Sequence, residues 1–410
     1  MRERPHATAF AAAGVFVAVA VAVTVAWQLL GEAVTDIPLY RTYGERVAGG
    51  LVPYRDFGFE YPPGALPFLV LPALVTDSLE SYRAVFVAQL AVVGALAVLA
   101  FDWALRSLGR QGRDRLVVLG VVAVVPVLLG GVILTRFDLV PAALVALAAG
   151  LMATGRLRWA AVVVGVGIAV KLYPVVLVPL LAIAARRRTD RREAIVVVAL
   201  AAAPAVVVYV PFLILGADGV LDSFGRQLGR PLQIESLGAG VLLALHHATG
   251  MTLEWSSGSG SQNLTGTTAG AVAVLQGVAQ VGALVLVWVG FARGPATTDR
   301  LLRYAAAALV AFVALSKVLS PQYLVWLVLL VPLVGGVRSR VALWLTVLAC
   351  ALTAVWFPAR YWDLVREFDP LPSWLVLFRG VALVALLAVL TATERERARS
   401  RSPVPSPGRT

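Results

Sequence analysis

The sequence predicts an all-α, polytopic membrane protein, and three observations carry that prediction. Residues of the AVILMFWYC set make up 60% of the chain, and the mean hydropathy is +0.85. Roughly ten apolar runs, each close to the ~20 residues that cross ~30 Å of hydrocarbon, are separated by short polar links. Within those runs, stretches such as AVVGALAVLAF (91–101) do not alternate, which rules against the strands of a membrane β-barrel. A soluble fold of 410 residues at this hydropathy would have to hide nearly all its surface, which surface-to-volume scaling forbids.

The first run, 9–30, follows MRERPH and resembles the opening of a signal peptide. It is too long for one and no small-residue cleavage site follows, so it reads as a retained first helix. Further helices are expected at 83–105, 116–134, 138–154, 194–215, 268–292, 301–317, 321–337, 341–357 and 374–392. Most of the 35 Lys plus Arg lie at the N-terminus, in the links 106–115, 156–158, 186–192, 293–303 and 338–340, and in the C-terminal tail. That positive-inside pattern sets these links and both termini in the cytoplasm, and it accounts for the +12 net charge without a nucleic-acid partner.

Keeping every basic link on one side forces two irregular segments. YPPGALPFLVLPALV (61–75), short and rich in proline, is expected to be re-entrant or interfacial. Residues 160–185, with basic flanks on both sides, are expected to form a broken hairpin that turns at KLYP (171–174). Non-helical backbone at membrane depth is tolerated only inside protein or along a wet cavity, so both breaks point to a polar cavity on the external side. The full expectation is about ten to thirteen transmembrane or re-entrant helices in a single membrane domain, 1–393. The long external segments are 31–61, 216–267 and 358–373, and SSGSGSQNLTG (256–266) reads as a flexible loop. The tail 394–410 is charged, Pro-rich and expected to be disordered. The absence of an internal repeat weakens a transporter built from repeated halves. Cys350 is the sole cysteine, so no disulfide or Cys-based metal site is available.

Polar chemistry gathers first at 29–68, where Asp36 opens the external loop just after the first helix. A carboxylate there can act as a general base toward a hydroxyl, or it can cap the helix that begins at IPLYRTYGERVAGG. Lys171 and Lys317 are the only lysines, each set in an apolar stretch and followed by Pro and Tyr, as KLYP and KVLSPQY. Such lysines either snorkel to the headgroups, with Tyr173 and Tyr323 as interface aromatics, or bind a lipid phosphate. In TRFD (135–138), Arg136 and Asp138 either hold a phosphate and a sugar hydroxyl or pair with one another. FGRQLGRPLQIES adds Arg226, Arg230, Gln233 and Glu235, a cluster fit for sugar or phosphate contacts and equally for plain solvation. His246 and His247 are adjacent and splay about 100° apart on a helix, so they read as structural. Trp362 and Trp374 read as an interfacial belt, with sugar stacking as the alternative. The Gly-rich snatches lack the strand and the Lys-Ser/Thr of a phosphate loop, so cytosolic nucleotide binding is unsupported.

Taken in order, TDIPLYRTYGERVAGGLVPYRDFGFEYPPGALPF, RFDLVPAALVALAAG, GIAVKLYPVVLVPLL, RPLQIESLGAGVLLAL and SPQYLVWLVLLVPL resemble the GT-C superfamily of glycosyltransferases. The similarity is closest to glycosyltransferase family 87, which includes actinobacterial polyprenyl-phosphate-mannose-dependent mannosyltransferases. The resemblance spans about residues 30–337 and implies a GT-C-type helical bundle in the cell membrane with its active site on the external face. It implies transfer of a hexose, mannose first, from a polyprenyl monophosphate to a glycolipid or cell-envelope glycan, with inversion. In that family the acid of the first external loop is the proposed base, which carries over through D-x-x-x-Y to Asp36, with Tyr40 as its companion. Donor phosphate would meet Lys171, Lys317, Arg136 and Arg230, and substrate would meet Tyr40, Glu60, Tyr61, Asp138, Tyr173, Glu235, Gln322 and Tyr323. The family's second external acid has two candidates here, Asp56 and Glu60. No cofactor is expected, although the loop carboxylates leave a divalent metal open. The rival reading is a transporter or flippase of a lipid-linked sugar, which would want the same cavity and lysines.

Overall fold

The chain reverses at short charged links, and side-chain contacts draw those links together at one end of a helical bundle. In the computed structural model of the protein, which describes residues 5–29, 34–336 and 338–392, the path is almost wholly helical. Five of its helices are long and apolar enough to cross a membrane, so the chain is a polytopic helical membrane protein. These are α1 (Pro5–Leu29), α4 (Leu79–Ser107), α11 (Arg191–Leu228), α13 (Thr267–Ala292) and α17 (Pro370–Thr391), numbered in chain order with the elements below.

After α1, α2 (Ile37–Ala48) and α3 (Leu66–Leu74) form a compact pair ahead of α4. A 3-10 turn, Pro63–Ala65, enters α3 and rests on the far end of α9 (Leu157–Val170). The contact is backbone to backbone: a Cβ on Gly64 would run into the carbonyl of Ala169. α4 returns to the basic end with its start fixed by a Ser78–Ser81 capping box.

The ascending stretch expected as one helix at 116–134 is broken into α5 (Gly112–Val124), α6 (Pro126–Leu129) and α7 (Val132–Thr135). Pro126 lacks the N–H that would continue α5, and Gly130 turns the chain at φ +62 with the Trp27 ring packed where a Cβ would be. α8 (Leu139–Ala153) descends, and α9 climbs to Lys171. The 3-10 turn Tyr173–Leu177 and α10 (Val178–Arg188) then bring the chain back. Arg158, at the start of α9, pairs with Glu193 of α11 at 2.6 Å, and Arg188 donates to the Ala296 carbonyl at 2.9 Å. Both flanks of the expected 160–185 hairpin therefore stand at the same end, with its turn at KLYP. Arg110 to the Val334 carbonyl and Arg303 to the Ala392 carbonyl gather further links there.

Helix α11 overturns a boundary. It was expected to stop at 215, where hydropathy falls, yet it runs on to Leu228 with a kink at Gly216. The added turns lie against the turn at Tyr54–Arg55, where side chains on Gly216 and Gly219 would collide with that backbone. Helix formation did not need an apolar sequence there, only a surface to lie on. The expected flexible loop 256–266 is instead a β-hairpin of β2 (Glu254–Gly258) and β3 (Ser261–Thr265), with β1 (Leu232–Gln233) pairing the inner edge of β3. Ser259 and Gly260 both have positive φ, the requirement of a two-residue type I′ turn, so Ser-Gly richness here marks a turn. α12 (Leu237–Thr249) lies between β1 and β2, and Ser236 caps it.

α14 (Thr298–Ala314) is buried along most of its length behind α8, α10, α13 and α17. Its Ala305–Ala308 run lets neighbouring backbones approach, the usual currency of helix packing where lipid removes the hydrophobic drive. The helix expected at 321–337 is likewise interrupted, into the 3-10 turn Pro321–Tyr323, α15 (Leu324–Val328) and a 3-10 turn Val331–Leu333. Pro321 and Pro332 remove the donors that a continuous helix would use. α16 (Ser339–Ala354) and α17 pack together to close the bundle. The expected disordered tail, 394–410, lies outside the described residues, as does the start of the 31–61 segment.

The Gly64 contact gives a direct test of how the 61–75 segment is seated. Gly64→Ala is expected to lower thermal stability in detergent by about 1–3 kcal/mol through overpacking, whereas Gly14→Ala, with open space around its Cβ, is expected to be neutral or slightly stabilising.

Candidate functional site

Opposite the basic links, the interrupted ends of several helices leave a cavity of about 480 Å³. Its walls come from the stretch after α1, the α7–α8 junction, the α9–α10 turn, the segment before α12, the tip of the hairpin, and the chain after α14. At these places the backbone leaves the helix: Arg136 (φ −130, ψ 134) and Lys171 (φ −156, ψ 134) are both extended. Backbone groups freed in this way need polar company, and the cavity supplies it.

Asp36 stands at the entry to α2 with 31% of its side chain exposed, in an ion pair with Arg136, whose side chain is 8% exposed. It occupies the N-cap position but accepts no helix N–H; the Thr35 hydroxyl takes the Ile37 N–H at 3.2 Å instead. The capping alternative therefore fails. Tyr40 OH reaches Asp36 Oδ2 at 3.4 Å, and the Tyr40 and Tyr61 rings meet edge to face at 5.9 Å beside Phe137.

Arg136 and Asp138 do not pair with one another. Asp138, fully buried, accepts from Lys171 Nζ at 2.7 Å and from Trp326 Nε1 at 2.9 Å on the same oxygen. Lys171 is thus already paired with a carboxylate. Its ammonium also lies over the Phe137, Trp326 and Tyr323 rings at 5.0–5.5 Å. Tyr173 stacks on Trp326 at 3.8 Å and Tyr323 on its neighbouring side at 4.2 Å, so these tyrosines build a wall and are not interface anchors.

Lys317 and Arg230 are different. Lys317 Nζ donates to the Leu228 carbonyl at 2.8 Å and Arg230 Nη2 to Ser261 Oγ at 3.0 Å. Among the described residues neither pairs with a carboxylate. Partial burial, and then the charge of Arg230, push the Lys317 ammonium below the usual lysine range. Two like charges thus line the same cavity.

Glu235 is buried, not solvated. Gln233 Nε2 donates to its Oε2, Arg379 Nη2 donates to its backbone carbonyl, and its Oε1 has no partner. Burial pushes the carboxyl up to about 7, against the pull of Arg379, Gln233, Arg136 and Arg230. Gln233 also reaches Ser320 Oγ at 2.9 Å, which ties the segment before α12 to the chain after α14.

Glu60 and Gln322 line the cavity, whereas Asp56 does not. Asp56 pairs with Arg55 at 2.8 Å and caps Val52 N at 2.7 Å, and these bonds hold it down at about 2. Of the two candidate second acids, only Glu60 is at the site. Arg226 pairs locally with Asp222 at 2.6 Å. His246 bonds the Met251 carbonyl at 2.6 Å, a structural tie. Among the described residues no group of three His, Cys, Asp or Glu side chains is placed to hold a metal.

Sequence reasoning passed over Arg379 and Trp326. Arg379 is fully buried in α17, over the Trp356 ring at 5.6 Å, with Nε and Nη1 unpartnered. An arginine inside an apolar span is the same signal that singled out the lysines, and it was readable from SWLVLFRGVALV. Trp326 had no such signal, because only the fold brings its indole N–H to Asp138.

The sequence model of Glycosyltransferase family 87 matches residues 59–321, which include every cavity element from Glu60 to Pro321. No curated protein matches the chain.

Glu235 carries a stability signature. A carboxyl that holds its proton more tightly in the folded protein than its ordinary 4.5 costs nothing below that value and costs stability as pH rises toward 7. Glu235→Gln is therefore expected to match wild type near pH 4.5 and to exceed it by up to about 3 kcal/mol above pH 7. Melting of both proteins in detergent across that range checks it; a difference independent of pH would refute the assignment.

Proposed function

The chain belongs to glycosyltransferase family 87, and from that premise we propose a membrane-embedded enzyme that transfers a hexose, mannose first, from a polyprenyl monophosphate to a hydroxyl of a glycolipid or cell-envelope glycan. Family membership implies glycosyl transfer; the donor, the acceptor and the residue roles are our reading. The observation that carries it is the pair Arg230 and Lys317, two cavity-lining cations with no carboxylate ion pair among the described residues, whereas Arg136 and Lys171 of the same cavity are each paired with a carboxylate. Unneutralised like charges at a partly buried site call for an anion, and a lipid phosphate supplies one at headgroup depth.

In this reading the acceptor hydroxyl gives its proton to Asp36 as its oxygen forms a bond to the anomeric carbon. The bond from that carbon to the phosphate oxygen breaks, and both its electrons leave with the polyprenyl phosphate. Inversion follows from a single displacement. Arg230 and Lys317 stabilise the charge that grows on the leaving phosphate. Arg136 holds Asp36 in place through their ion pair. Lys171 and Asp138 act as a matched pair that shapes the wall, and the stacked Tyr173, Trp326 and Tyr323 give an aromatic surface for the apolar face of a sugar. Tyr40, Glu60, Tyr61 and Gln322 complete the polar lining. No step requires a nucleotide or a cofactor.

We place the basic end in the cytoplasm by the positive-inside rule, and so the cavity outside. The rival flippase would need a passage between the two ends. Below the cavity, most of α14, and α15 with the chain through Leu333, are buried, which favours a closed catalytic pocket.

Asp36→Asn is expected to cut transfer from radiolabelled polyprenyl-phosphate mannose to membrane lipids by about 10²–10⁴-fold at matched expression. Undiminished transfer by a folded variant would remove Asp36 from the role of base. Single cysteines at Ser107 and Arg187 are expected to react only from the cytoplasmic side; labelling from outside would invert the topology.

A further inference from the structure

Five charged groups around the cavity form a chain of neighbours. Arg230 acts on Lys317 at one end, Arg230 and Arg136 both act on Glu235 in the middle, and Arg136 pairs with Asp36 at the other end. Resting on the proposed reaction, the phosphate belongs at Arg230 and Lys317 and the acceptor hydroxyl at Asp36. The transferred sugar must then lie between them, where Glu235 sits. Its Oε1 is buried on the cavity wall without a partner, while Gln233 occupies its Oε2 and Arg379 its backbone carbonyl. An unpartnered buried carboxyl oxygen beside a ligand cavity is costly unless the ligand completes it.

We infer that Glu235 receives a ring hydroxyl of the carried sugar on its free Oε1, and that Arg379 is the positioning residue that holds Glu235 in place from beneath. The hydroxyl donates to the ionised carboxylate, a stronger bond than one to a neutral acceptor. The groups facing this carboxyl are Arg379 from α17, Arg136 from the α7–α8 junction, Arg230 and Gln233 around β1, Tyr323 before α15, and Tyr361 before α17. Three of these are guanidinium groups, which favour the ionised form, and burial opposes them. Arg379 is the first of the charges that pull toward ionisation. It is fully buried and itself makes no contact with the cavity, so its influence on a ligand passes through Glu235.

The test compares two lipids on the purified full chain in detergent: polyprenyl-phosphate mannose and sugar-free polyprenyl phosphate. Binding is read by tryptophan fluorescence, since Trp326 and Trp362 line the cavity. At pH 8, Glu235→Gln is expected to weaken the mannosylated lipid about tenfold, the difference between a charged and a neutral acceptor, and not to weaken the sugar-free lipid. As pH falls below 7, the wild type gains the proton and its affinity for the mannosylated lipid converges on that of the variant. Arg379→Met is expected to move that convergence to higher pH, whereas a merely structural arginine would weaken both lipids with the convergence unmoved. Equal weakening of both lipids by Glu235→Gln, or no weakening of either, overturns this inference alone. Wild-type protein that binds neither lipid overturns the donor assignment above, and this inference with it.

Discussion

The bond from Lys171 to Asp138 joins two helix interruptions, and Trp326 Nε1 on the same carboxylate oxygen joins a third. Without it the α7–α8 junction, the α9–α10 turn and the chain after α14 would each present freed backbone and a polar side chain inside an apolar bundle. An isolated buried charge costs several kcal/mol even after relaxation, so neither Asp138 nor Lys171 is tolerable alone. Together, and ringed by Phe137, Tyr323 and Trp326, they are a compensated unit that permits three breaks at one level. The cavity is a consequence of those breaks.

What lies beneath follows from the solvent. Lipid gives helices little reason to associate through apolar surface, so close approach of small residues has to serve. Gly94 receives the Phe16 ring, Gly150 receives Trp103, and Gly165 receives the backbone of α11 at Ala201. α14, with its run of alanines, fills the centre. At the basic end, Asp102 is buried between Arg115 at 2.6 Å and Arg106 at 2.9 Å, a second compensated cluster that anchors α4 to α5. The bundle is tightly closed at one end and irregular at the other.

Much of this was legible in the sequence, for reasons that differ by residue. Hydropathy reads the apolar spans directly, and the basic links fix which helix ends coincide, which is why the KLYP break was found without a structure. Rare intramembrane charges stand out against alanine and valine, which is how Lys171 and Lys317 came to be candidates and why Arg379 should have been one; Arg136 and Glu235 came instead from polar clusters in external links. Pairing is another matter. Asp36 meets Arg136, and Asp138 meets Lys171, through contacts that span about a hundred and about thirty residues respectively, and no local pattern chooses between those partners and Arg136 with Asp138. Helix boundaries failed where polarity and helicity part company. Gly216–Leu228 is polar and helical, and 121–135 is apolar and broken, because hydropathy measures the preferred solvent and proline and glycine decide the backbone.

The pattern of matched and unmatched ions also bears on which side of the cavity does what. In the proposed reaction a neutral hydroxyl needs orientation from its base, which an ion pair such as Asp36–Arg136 would provide. A departing phosphate carries charge that grows through the reaction, and cations already neutralised by carboxylates would have to exchange partners to meet it. Arg230 and Lys317 would need no such exchange, since among the described residues a hydroxyl and a carbonyl hold them. Their mutual repulsion is a standing cost in the empty protein, and an arriving anion relieves it. Catalysis gains most from charges that are in place before the transition state forms. In the proposed reaction the unmatched pair would therefore serve the leaving group and the matched pair the nucleophile, with the half-satisfied Glu235 left for the group that moves.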